Sequence, residues 1–443
     1  MIKCTKYNVN VIPILYQLDN DDVNLLIEEA FKHANINMIN YINNYVKIDY
    51  ELITKQVLIF CKDGNIDVIK YLHQKMKLTK EYFQLDNNLA CREACYYGHI
   101  DVVKYLHQEI ELTKQDFQSD KNEACRTACQ YGHIDVVKYS HQEIGLTKED
   151  FRSDNNYACR WACARGNIDI VKYLHQEIGL TEQDFQSDDN CACRWACLCG
   201  HLNIIKYLHQ ETILTKEHFQ LKNNNSCQKA CEYGYIDVVK YLHQEIGLTK
   251  ENFQSYENHA CLWACRNGYI DIVKYLHRAI GLSKEDFQTY NNLACRWACQ
   301  DGCIDVVEYL HQEIGLTKQD FQSRDNYACR MSCRYGHLNV VRYLHQDIGL
   351  KKQDFQSLNN EACAVACLCG HIDIVKYLYQ EIGLTKEDFQ SNDNSACRWA
   401  CENGHNDIVK YLHQEIEMTQ EDLQMNNNYT HENTIKNEHD NDV

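Results

Sequence analysis

Around residue 134, apolar residues return at helical spacing: Ile134, Val137 and Ile144, with Val136 widening the stripe. That spacing predicts an amphipathic helix with one apolar face. Asp135 in its first turn suits the positive end of a helix dipole. Such helices are preceded by short small-residue segments, such as ACRWAC at 158–163, and a glycine stands between the two. A glycine just past a helix predicts a left-handed C-terminal stop. The local pattern is therefore two helices joined by a tight turn.

The pattern repeats. Gly64, Gly98, Gly132, Gly166, Gly200, Gly234, Gly268, Gly302, Gly336, Gly370 and Gly404 are spaced by 34 residues without a slip. The other seven glycines, such as Gly145 and Gly383, each fall 13 residues after one of these and predict the stop of the second helix. Ten residues before the glycine, from Asn88 to Asn394, stands an asparagine every time, which predicts a helix N-cap or turn residue. The rest of the unit reads LTKEDFQS at 384–391. In the equivalent segment Thr147 and Asp150 resemble a capping box with Asp in place of Glu, and Phe151 follows. Ten of the twelve phenylalanines, from Phe83 to Phe389, share this phase. They predict a short third helical turn pinned to the core. A fixed period of this length predicts an all-α solenoid in which neighbours bury each other's apolar faces.

The totals exclude some classes. The net charge is −18, and lysines alternate with acids in every unit, so no basic stripe forms for nucleic-acid phosphates. No window has the uninterrupted apolar length of a membrane span, and the start of the chain, with only a short VIPIL patch, does not read as a signal peptide. Twenty-six cysteines in a long chain without a secretory signal predict free thiols or metal ligands rather than disulfides. A cytoplasmic location is expected.

The string A-C-x-x-G-H-I-D-V-V-K-Y-L, as at 94–106, closely resembles the ankyrin repeat. The resemblance covers about 51–424, eleven units in register. Three features depart from it. The period is 34 and not 33, the T-P-L-H opening is absent, and the linking segment reads as helical, which puts the family's β-hairpin finger in doubt. Residues 27–42, IEEAFKHANINMINYI, resemble a degenerate unit without glycine, as expected of a cap. The organisation expected is an N-terminal segment 1–50 with that cap, a solenoid 51–424 of eleven or twelve units forming a curved rod, and a disordered polar tail 425–443. Residues 1–26 show no F-box or other effector signature. Richness in Asn, Ile, Lys and Tyr with a single proline is similar to the long ankyrin arrays of amoeba-infecting giant viruses.

Twenty-one cysteines stand seven or three residues before the glycine, as Cys159 and Cys163 do. The matching places in the ankyrin pattern hold Leu and Ala, so packing is the first reading, with zinc or redox chemistry as alternatives. Cys199, Cys303 and Cys369 near helix ends are the better candidates for reactivity. Histidine recurs nine residues after the glycine, from His107 to His413, with Tyr379 the one exception, and often directly after it, as at His99, His133 and His371. A metal site or pH switch is possible on composition, but the resemblance implies a copied inter-repeat hydrogen bond.

All five tryptophans, Trp161, Trp195, Trp263, Trp297 and Trp399, lie five residues before a glycine, where other units carry Glu93, Thr127, Lys229, Met331 or Val365. That mixture predicts a partly exposed column. The resemblance implies that the first helix lines a concave partner-binding surface, and exposed Trp beside Arg has the composition of binding hot spots. Covering the seam between repeats is the competing reading for Trp. The two positions before the glycine vary most, and Tyr97, Tyr131, Arg165, Tyr233 and Tyr335 are the candidates there. An arginine column, Arg92, Arg126, Arg160, Arg194, Arg296, Arg330 and Arg398, could meet an acidic partner or pair internally. No nucleotide-binding or hydrolase motif is present, so no enzyme and no cofactor are expected. The expected function is a monomeric protein–protein interaction scaffold or adaptor with an unknown protein partner. A structural or virion-assembly component and a metal or thiol-redox protein are the alternatives.

Overall fold

The computed structural model describes residues 27–45, 48, 50–212 and 214–419. The expected effector-free segment 1–26 and polar tail 425–443 lie outside these residues. All regular elements among the described residues are helical, with no strand. The chain divides into two compact units, one on each side of the Ser226–Cys227 bond. Both are built from the same 34-residue module, stacked neighbour on neighbour.

One module shows the logic. Thr113 has extended backbone and precedes a single helical turn, Lys114–Phe117. The Asp116 carboxylate accepts from the Thr113 amide at 2.6 Å and from its hydroxyl at 2.8 Å. Phe117 is fully buried, like every phenylalanine of this column. Each contributes about 1.5–3 kcal/mol of apolar burial. The first helix proper follows and ends on Gly132 at φ +88°. The second helix, Ile134–Gln142, buries Val136, Val137, Tyr139 and Ser140. The apolar stripe is thus narrower than the sequence pattern predicts: Ile134 is only half-buried, and Ile144 packs beyond the helix end. The predicted third helical turn is present in place of a β-finger.

The degenerate cap keeps this plan. Helical residues 27–32 and the helix Ile36–Tyr45 flank Ala34, whose φ of +46° does the work of the missing glycine. The Asn35 side chain accepts from the Met38 amide at 3.1 Å.

The asparagine column is a correction. It is a turn residue but not an N-cap. Three consecutive residues before the first helix are left-handed: Asp120, Lys121 and Asn122 have φ of +49°, +56° and +60°. The same triplet recurs at 86–88, 154–156, 188–190, 256–258, 290–292, 324–326, 358–360 and 392–394. L-residues pay roughly 1–2 kcal/mol each in this region, and Asn tolerates it best among side-chain-bearing residues. The first two positions are exposed and hold Tyr, Glu, Arg or Leu in some units; the third is buried or half-buried and always Asn. The column's Oδ1 atoms, at Asn88, Asn122, Asn156, Asn190, Asn258, Asn292, Asn326 and Asn360, are buried without a hydrogen-bond partner. The backbone, not that oxygen, is therefore what Asn serves. Asn156→Gly is expected to cost less than about 1 kcal/mol and Asn156→Ala about 1–2 kcal/mol. Urea unfolding of both variants checks this, and equal losses would assign the role to the side chain.

Gly98 and Gly145 explain why one glycine phase is invariant and the other is not. Both have positive φ, +77° and +78°. A Cβ on Gly98 would lie 2.3 Å from the His133 ring of the next repeat, whereas a Cβ on Gly145 would meet nothing within 4 Å. The second phase needs only the backbone angle, and Lys77, Glu111 and Glu417 supply it at φ +55° to +62°.

Candidate functional site

The columns singled out in the sequence sort into those that join repeats and those that face solvent. The cysteines join. Of the 21 in the two phases, only Cys401 is not buried. Cys125 shows a further role: its thiol donates to the Asn122 carbonyl at 3.3 Å and approaches the Asp150 carbonyl of the next repeat at 3.9 Å. The same pair of contacts forms at Cys91, Cys159, Cys193, Cys295 and Cys363. These thiols pack and also close the left-handed turn. Burial drives the Cys125 pKa up to about 12 and raises Cys129 well above the ordinary thiol value, which keeps both protonated. No metal-holding group of His, Cys, Asp and Glu occurs among the described residues. Cys369 is exposed and Cys199 and Cys303 half-buried; the Cys303 thiol contacts the Arg266 carbonyl at 3.3 Å.

The histidines also join. His107 Nδ1 lies 3.0 Å from the Tyr139 hydroxyl of the next repeat, and its ring stands edge-on to Phe117. The bond recurs at His73–Tyr105, His141–Tyr173 and His175–Tyr207 in the first unit, and from His243–Tyr275 to His345–Tyr377 in the second. Where Tyr379 replaces histidine, the buried Tyr411 hydroxyl has no hydrogen-bond partner. The histidines after the glycine reach back instead: His133 Nε2 donates to the Tyr96 carbonyl at 2.8 Å, satisfying a helix C-terminus. Asn167 does the same toward the Gln130 carbonyl at 2.8 Å.

Most of the arginine column is held internally, Arg194 by carbonyls of its own turn alone. Arg126 donates to the Asp120 carbonyl in its own left-handed turn at 3.0 Å and to the Asp154 carboxylate in the next at 2.6 Å. Arg92 and Arg160 repeat this double contact, with Asp120 and Asp188 as the acids. Arg296 and Arg330 are 2% and 3% exposed, so they are closed to any partner. Internal pairing is among the sequence readings of this column; the carbonyl contact to its own turn is not legible there. The turn also forms beside Leu262 and Ala364, so arginine reinforces it without being required.

What faces solvent is the far edge of the first helices. Tyr97, Tyr131, Tyr233 and Tyr335 are 39–47% exposed. Trp161, Trp195, Trp263, Trp297 and Trp399 are all half-buried, and Arg165 is exposed. In the first unit Tyr96 packs on Tyr131 at 4.4 Å with a 2.9 Å bond between their hydroxyls. Tyr157 packs on Trp161 at 5.6 Å, and Trp161 on Trp195 at 5.0 Å. In the second unit Trp263 meets Trp297 at 5.3 Å, and the Arg266 guanidinium lies 4.8 Å from both rings. Trp161 with Trp195 and Trp263 with Trp297 therefore cover the seam between repeats, and each ring stays half-buried. Trp399 has no ring partner of this kind among the described residues, and Tyr233 stacks on Tyr235 at 6.5 Å.

A family profile described as Ankyrin repeats (3 copies) matches residues 126–219, 227–325, 295–388 and 326–422. No curated protein matches the chain. Paired helices at a 34-residue period, glycine hinges closed over by the next unit, and these overlapping matches agree: the chain belongs to the ankyrin-repeat family.

Proposed function

We propose that the protein is an interaction scaffold or adaptor that holds a protein partner along the outer edge of its first helices. Ankyrin repeats are in general protein–protein interaction modules, and the specific surface is our reading. The observation that carries it is the run of partly open rings crossing from repeat to repeat, Tyr96–Tyr131 and Tyr157–Trp161–Trp195, on positions that vary while the framework columns stay fixed. Rigid aromatic rings give large contact area at small entropic cost, which is why they anchor interfaces. The cysteine, histidine and most of the arginine columns are instead taken up in joining repeats. No helix among the described residues is long and apolar enough to cross a membrane.

The test is affinity capture with the wild-type chain and with the triple variant Trp161→Ala, Trp195→Ala, Trp263→Ala. Partners recovered by the first and lost by the second are expected. An unchanged partner set, with the variant's helical circular dichroism intact, would reject the surface.

A further inference from the structure

Arg165 stands at the end of a first helix and meets no carboxylate there. Its side chain is exposed, and its guanidinium lies 5.7 Å from the Tyr131 ring and 5.9 Å from the Trp161 ring. It has no ion pair among the described residues. Arg266, one position earlier in its own repeat, makes a contrast. That guanidinium also rests on aromatic rings, but Asp301 of the next repeat neutralises it at 3.2 Å. At the corresponding helix ends around Arg165 the preceding repeat offers Gln130 and Tyr131 and the following one Leu198 and Cys199, none of them acidic. In a chain with 63 acids against 45 bases, this cation is left open in the middle of an aromatic platform.

The consequence follows from desolvation. A partner that covers Trp161, Trp195 and Tyr131 also covers Arg165. A guanidinium stripped of water without a counter-charge is costly, whereas one that gains a carboxylate forms a strong, geometrically specific pair. Aromatic contact on its flank already orients the fork and leaves its outer N–H groups available.

Building on the proposed interaction surface, we infer that its first-unit part takes an acidic segment of a partner protein: an Asp or Glu carboxylate on Arg165, with an adjacent apolar side chain on the Trp161–Trp195 pair. Arg165 sets the charge preference, and the tryptophans supply contact area. In the second unit Arg266 is already neutralised by Asp301, and the position equivalent to Arg165 holds no arginine in any of its repeats.

A random twelve-residue peptide-display library selected on the full chain tests this. Recovered peptides are expected to place Asp or Glu beside Trp, Phe or Leu. Synthetic copies should lose about tenfold or more in affinity when that acid becomes Asn or Gln, and to a similar extent on Arg165→Glu protein. Restored binding of a Lys-substituted peptide to Arg165→Glu protein would support the pairing directly. Circular dichroism of the variant establishes that it is folded. Peptides that need Trp161 and Trp195 but are indifferent to their acid and to Arg165→Glu would overturn the inference and leave the interaction surface standing. Peptides indifferent to the tryptophans as well would overturn both. A fluorescent oligothymidine that binds the chain and is released by Arg165→Glu would replace the acidic segment with nucleic acid and so also overturn it.

Discussion

Gly302→Ala should destabilise its repeat by roughly 3–5 kcal/mol, against about 1–2 kcal/mol for Gly315→Ala thirteen residues later. Both glycines are left-handed, at φ +73° and +80°, so each alanine bears the same backbone penalty. The difference lies in what surrounds them. A Cβ on Gly302 would stand 2.4 Å from His337 Nδ1, while a Cβ on Gly315 would have nothing within 4 Å. The equivalent His371 donates to the Arg334 carbonyl at 2.9 Å, so moving a ring at this place also disturbs a helix terminus. The double variant Gly302→Ala, His337→Ala should recover part of the loss, a non-additivity that marks direct contact. Urea unfolding with hydrogen exchange resolved by repeat measures it. Equal losses for the two single variants would show that backbone angle alone fixes the glycine column.

The second large effect is on acid stability. Asp116, Asp150 and Asp184 in the first unit and Asp286, Asp320 and Asp388 in the second hold their pKa below the ordinary carboxylate value. Burial pushes each upward, but hydrogen bonds outweigh it. Asp150 accepts from the Thr147 amide at 2.7 Å, the Thr147 hydroxyl at 2.9 Å and Gln118 of the preceding repeat at 2.7 Å, with Lys114 at 3.5 Å. Arg152 takes the glutamine's place on Asp184. Since the folded-state values lie below the unfolded ones, this contribution is complete above the unfolded carboxylate value near ~4 and is lost as pH falls through the lower folded values. The urea midpoint should be flat from about pH 7 to 5 and fall steeply below about pH 4. The chain contains its own control: Asn252 occupies this place in one repeat and accepts from the Thr249 amide at 2.8 Å without a titrating proton. Replacing all six aspartates by asparagine should flatten the acid limb. An unaltered slope in that variant would assign acid unfolding to other carboxylates.

Much of this architecture is legible in the residues because it is written eleven times. The glycine period sets the module, the Phe column marks the third helical turn, and the histidine column announces a contact between repeats. The left-handed triplet was hidden because its first two positions hold residues such as Lys121, Glu257, Tyr290 and Leu358, which have no local preference for positive φ. Side chains that follow the turn brace it, a buried thiol such as Cys125 throughout and a guanidinium such as Arg126 in some units. One asparagine per unit was its only trace, and that trace reads equally well as a cap. The tryptophan column shows the same limit. Its mixed composition revealed partial exposure, but pairing of Trp161 with Trp195 depends on neighbours 34 positions apart meeting at 5.0 Å. Repetition exposes what each module needs within itself; it conceals what a module gives to the next.

Those inter-module contacts share a property. Cys125 reaches 25 residues ahead, Arg126 reaches 28, Gln118 and His107 reach 32, and His133 reaches back 37. Each offset is fixed relative to the period. Excising or duplicating any whole number of periods by recombination would present most framework side chains with the same kind of counterpart in a new copy. A one-residue insertion within a helix would break all of them at that junction. Copy number is thus an open variable for this gene while module length is frozen, and a lineage can lengthen the array by one module at a time.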